Sequence, residues 1–111
     1  MSHLVLEQVT REIRLEPEGN WELPRTVTGG LPVREVTAQW WRAEGTGAWR
    51  LSWVIFADRH GNAVRTGTAG GGQTPIRYLG DLVRHRGPGD RPVDQMPGWL
   101  AELLEEWVPA V

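Results

Sequence analysis

The chain contains no cysteine. Disulfides and thiolate metal sites are therefore excluded, and a reducing, cytoplasmic setting is expected. There is no lysine either, so all twelve basic side chains are arginine. Such a bias suits phosphate or carboxylate recognition through the guanidinium fork, although codon bias in a GC-rich genome produces the same result. Phenylalanine and tyrosine occur once each. No apolar run approaches the ~20 residues that a membrane span requires. The first residues, Met1 to Glu7, lack the basic region and apolar stretch of a signal peptide. We expect neither membrane insertion nor export.

Against these absences stand seven tryptophans in 111 residues. Each can bury about 150–250 Å², so a few of them can dominate the core of a small protein. The length fits one domain, residues 1–111. Its parts are an N-terminal hairpin region (1–30), a Trp-rich meander (33–68) and a helical part (74–108).

Val33–Arg42, Ala48–Ala57 and Ala63–Thr68 read as three consecutive strands. In the first, Val36, Ala38 and Trp40 share one face; Glu35, Thr37, Gln39 and Trp41 share the other. The adjacent tryptophans therefore point opposite ways. In the second, Trp49, Leu51, Trp53, Ile55 and Ala57 alternate onto one face, and Val54 and Phe56 make its second half apolar on both sides. It should be the central strand. Residues 4–27 are ambiguous: Leu6, Val9 and Ile13 have helical spacing, whereas Ile13 and Leu15 alternate. β-Branched content and the Pro17–Asn20 turn favour a hairpin, with Pro24 confining its second strand to an edge.

Thr74-Pro75 resembles a helix start, with threonine as cap and proline in the first turn. The spacing of Ile76, Leu79 and Val83 predicts a helix to about His85. The final segment repeats apolar residues at Trp99, Leu100, Leu103, Leu104, Trp107 and Val108, a helical stripe with Glu102, Glu105 and Glu106 opposite. Strands first and helices last give an α+β class. The expected architecture is an antiparallel meander sheet of four to five strands with two C-terminal helices, the last packed on the sheet.

Trp49-Arg50-Leu51-Ser52-Trp53, together with Pro97-Gly98-Trp99-Leu100 running to Pro109, resembles small uncharacterised proteins of actinobacterial phages and plasmids. The likeness covers about a third of the chain. It implies an accessory protein of a mobile element and supplies no catalytic residues. The Gly70–Gly72 turn and the 87–92 loop depart from it.

Chemistry is sparsely signalled. Asp81 and His85 have a metal-ligating spacing on a helix, but no third ligand is indicated. Asp58 and His60 lack an oriented nucleophile. We therefore assign no catalytic residue, no metal and no cofactor, and the chain does not read as an enzyme. Net charge is −2, yet residues 59–93 are basic while both ends are acidic. A Gly-rich turn before a helix start could hold an anion on free N–H groups, with Arg65, Gly71, Gly72, Arg77 and Arg84 as its residues. Trp21 and Trp41 are the candidates for an exposed platform binding a partner.

The expected function is a non-enzymatic interaction module that binds a protein or forms a homodimer. The alternatives are a nucleic-acid or phosphate binder using residues 59–91, and a small enzyme or ligand-binding protein with a Trp-lined pocket.

Overall fold

The computed structural model describes residues 8–16, 21–23, 31–43, 47–67, 73–80 and 89–109. Its main sheet joins five strands in the order β1 (Gln8–Leu15), β4 (Glu35–Ala43), β5 (Arg50–Ala57), β8 (Arg77–Leu79) and β9 (Asp90–Pro92). Two ribbons accompany it. One pairs β2 (Trp21–Leu23) with β3 (Leu31–Val33), the other β6 (Arg65–Gly67) with β7 (Gln73–Pro75). A 3-10 turn (Val93–Gln95) leads into the helix α1 (Gly98–Glu106).

This arrangement corrects the expected architecture in four respects. The expected third meander strand leaves the main sheet: β6 pairs with β7, and β8 takes the place beside β5. The sheet is mixed, because β8 and β9 run parallel. The predicted N-terminal hairpin does not form: both strands exist, but β1 pairs with β4 and β2 with β3. Most importantly, there is one helix among the described residues and not two. Residues 73–75 and 77–79 are strands. Buried Ile76 and Tyr78 flank exposed Arg77, a period of two rather than 3.6. The Ile76 amide donates to the Val64 carbonyl at 2.9 Å, and the Arg77 amide to that of Gly89 at 3.0 Å. These amides serve sheet pairing, and the Thr74-Pro75 cap has no helix to start. Val83, and the Asp81–His85 pair, lie outside the described residues.

One face of the sheet carries Ile13, Val36, Ala38, Trp40, Val54, Phe56 and Tyr78. The β2–β3 ribbon covers it with Leu23, Leu31 and Val33, and α1 with Leu100 and Leu104, in one hydrophobic cluster. Trp40 is buried, whereas Trp41, on the opposite face, is only partly covered. The β5 tryptophans divide as well. Gln39 pairs with Trp53 but Trp40 pairs with Leu51, so Ser52 is an extra residue in β5. That bulge inverts the alternation. Trp49 and Leu51 pack against the core cluster, while Trp53 and Ile55 share the outer face with Trp41. The expected single face running from Trp49 to Ala57 is therefore broken at Ser52.

The bulge also explains Gly80. Its amide donates to the Ser52 carbonyl at 2.8 Å. A Cβ there would lie 1.7 Å from the Leu51 carbonyl oxygen, so the backbones meet at a distance only glycine permits.

The helix stripe is narrower than predicted. Leu100 and Leu104 are buried, Trp99 and Leu103 are partly buried against the core, and Trp107 is 46% exposed. Trp99 stacks on Trp21 with ring centres 4.8 Å apart, and its indole Nε1–H donates to the Glu22 carbonyl at 3.0 Å. Removing a partly buried indole with its hydrogen bond should cost about 2–3 kcal/mol, below the full burial value. Trp99→Ala is therefore expected to lower unfolding free energy by that amount in urea titrations. Trp107→Ala should cost under about 1 kcal/mol. Equal losses would show that the helix is held differently.

Candidate functional site

A cleft of about 310 Å³ opens where the end of β1, strand β2 and the last turn of α1 converge. Leu15, Trp21, Leu103 and Trp107 form its apolar and aromatic surface, and Glu16 and Glu106 bring carboxylates to it. Each residue is placed by the fold. Leu15 closes the β1–β4 register opposite Val36. Trp21 is fixed by its stack on Trp99. The amide of Trp107, the residue that ends the helix, donates to the Leu103 carbonyl at 3.1 Å.

The electrostatics have one sign. Glu16 and Glu106 are exposed, and neither is ion-paired among the described residues. Glu22 on β2 and Glu102 and Glu105 on α1 are exposed as well. The last turn of α1 holds no basic residue, although a helix C-terminus carries partial negative charge that favours a cation. Local stability would be better served by arginine there. An aromatic surface with uncompensated negative charge attracts cations through both the ring quadrupole and Coulomb forces.

The residues singled out in the sequence scatter. Trp21 lines the cleft. Trp41 lies on the outer sheet face, paired across strands with Arg50, and its indole nitrogen is closed off from solvent with no hydrogen-bond partner. The two do not form a common platform. The anion site loses its premise. Arg65 and Arg77 fall on β6 and β8 with no helix N-terminus among the described residues between them, and Gly71, Gly72 and Arg84 lie outside the described residues. Arg77 is already committed: its Nε and Nη2 donate to the Asp90 carboxylate at 2.8 and 2.9 Å. That pairing raises the Arg77 pKa.

Asp58 and His60 do not form an acid–base pair. The Asp58 carboxylate accepts the amides of His60 (2.9 Å) and Asn62 (3.0 Å) within its own turn, and Gly61 takes a positive φ of 79°. Sequence reasoning missed Glu16, Leu15, Leu103, Glu106 and Trp107. The Glu105-Glu106-Trp107 ending, devoid of basic residues, was the available signal.

No protein-family model, curated protein or solved structure matches the chain. No helix among the described residues is long and apolar enough to cross a membrane, and no cluster of metal-ligating side chains occurs among them.

Two tests follow from these contacts. The Asp90 side chain is 3% exposed and that of Arg77 44%. Arg77→Met removes the charged partner of a nearly buried carboxylate and is expected to cost about 1–3 kcal/mol, since the guanidinium faces water and Asp90 keeps a further contact. Adding Asp90→Leu should recover much of it; additive losses in chemical denaturation would dismiss the pair as a unit. Amide bonds, first that of Asn62, hold the Asp58 carboxyl below its ordinary value of 3.8. The stabilisation is therefore complete above that ordinary value and fades as pH falls through the lower folded-state value. Melting curves of wild type and Asp58→Asn should accordingly converge on acidification, and a gap that widens would refute the assignment.

Proposed function

We propose that the protein is a small non-enzymatic interaction module that binds a partner protein through the cleft between β1, β2 and α1. One observation carries the reading: two indoles and two exposed carboxylates share a cleft at a helix end that has no basic residue. This surface fits a partner segment presenting arginine or lysine beside apolar side chains. Tryptophan supplies large contact area at interface hot spots, and the carboxylates favour basic partners and speed encounter. An enzyme reading is weaker, because acid–base work by two carboxyl groups depends on unlike environments, and Glu16 and Glu106 are both exposed. A nucleic-acid reading is weaker still, since Arg77 is neutralised by Asp90. The lack of cysteine fits a cytoplasmic setting.

The test is a titration followed by tryptophan fluorescence and calorimetry. It uses a short amphipathic peptide bearing arginine and lysine, with an acidic peptide of equal hydropathy as control. The basic peptide should bind and the acidic one should not. Trp107→Ala should weaken binding about 2- to 5-fold, the worth of an exposed cation–π contact. Glu106→Arg should weaken it further, and Arg50→Gln, on the outer sheet face, should leave it unchanged. Equal binding of both peptides, or indifference to Trp107→Ala and Glu106→Arg, would sink the proposal.

A further inference from the structure

At the other end of β1 the sheet gathers positive charge. Arg11 and Arg42 lie on adjacent strands, β1 and β4, and point to the same face: Arg11 pairs with Trp40, and Arg42 with Val9. They are thus diagonal neighbours. The bulge in β5 delivers Trp49 to this face. The Arg42 guanidinium lies 4.7 Å from the Trp49 ring centre, and that of Arg11 lies 6.0 Å from it.

The indole quadrupole accounts for one cation. It does not account for two, because like charges brought together repel. Neither arginine has a carboxylate partner among the described residues. In addition, Arg42 Nε is closed off from solvent and lacks an acceptor. Unmade hydrogen bonds of buried charged groups are costly, and among the described residues no carboxylate supplies the cluster with a counter-charge that also accepts hydrogen bonds.

We propose that Arg11, Arg42 and Trp49 form a binding site for a phosphate monoester or free phosphate dianion. A monoester carries a charge of about −1.5 to −2 and three acceptor oxygens, matching two guanidinium forks. A phosphodiester carries one negative charge and matches less well. The indole backs the two guanidiniums, which lie 4.7 and 6.0 Å from its ring centre. The site is separate from the acidic cleft and from Arg65 on β6 and Arg77 on β8.

Three probes are titrated into the intact protein at constant ionic strength: inorganic phosphate, phenyl phosphate and dimethyl phosphate. Calorimetry and the indole N–H resonance of Trp49 report binding. Inorganic phosphate and phenyl phosphate should both bind and shift that resonance, at least about tenfold more tightly than dimethyl phosphate. Binding of inorganic phosphate alone would restrict the site to the free ion. Arg42→Gln and Arg11→Gln should each weaken binding by about tenfold or more, and Arg50→Gln should have no effect. Arg11 is exposed, so its variant keeps the test decisive should Arg42→Gln fail to fold. The proposal is overturned if chloride shifts the Trp49 resonance as phosphate does. It is likewise overturned if the diester or a short oligonucleotide binds as tightly as the monoester, or if Arg11→Gln binds like wild type.

Discussion

The contact between Trp99 and β2 is the constraint on which the site depends. Two three-residue strands make a ribbon that would be marginal alone, and a nine-residue helix is too short to persist in water by itself. Each is stable only against the other and the sheet. The indole of Trp99 joins them by stacking on Trp21 and by donating to the Glu22 carbonyl, across 77 residues of sequence. Leu100 and Leu104, on the same helix, then reach the sheet. Trp107 follows two turns later, at the end of the helix. It is left half exposed beside Leu15 and Trp21, and the cleft is the space that results.

What could be read from the sequence follows from the range of the forces involved. Alternation in β4 placed Trp40 inside and Trp41 outside, because strand faces are set by local geometry. The amphipathic stripe gave the final helix for the same reason. Pairing partners were not legible. Leu15 and Trp21 flank the turn expected at Pro17–Asn20, yet β1 places Ile13 against Ala38 of β4. Residues 76 and 79 satisfied a helical spacing over too few positions to exclude a strand, and the acceptors that decide the matter, Val64 and Gly89, are remote. The Ser52 bulge left no local mark. It requires the Gly80 amide beside it, and nothing in Arg50–Ala57 announces that approach.

The same distinction governs the sites. Arg77 appeared available because Asp90, thirteen residues away, is joined to it only through the parallel β8–β9 register. Arg11, Arg42 and Trp49 appeared unrelated because two strand pairings and the bulge are needed to bring them together. An arginine-rich segment is therefore a poor guide to where positive charge is free. In this chain the basic stretch is internally neutralised at Arg77, whereas Arg11 of β1 and Arg42 of β4 meet with no carboxylate partner among the described residues.

A net charge of −2 conceals this polarity. Glu16, at one end of β1, belongs to the acidic cleft, and Arg11, toward the other, to the basic cluster. Five residues of strand separate them, about 17 Å at the usual rise. That exceeds the Debye length of about 8 Å at physiological salt, so each end presents its own field to an approaching ligand. A basic segment entering the cleft is not repelled by Arg11 and Arg42, and an anion bound there does not neutralise Glu16 and Glu106. The two proposed ligands, of opposite sign, would thus meet separate parts of one strand. Any coupling between them must pass through the packing of β1 on β4 rather than through solvent.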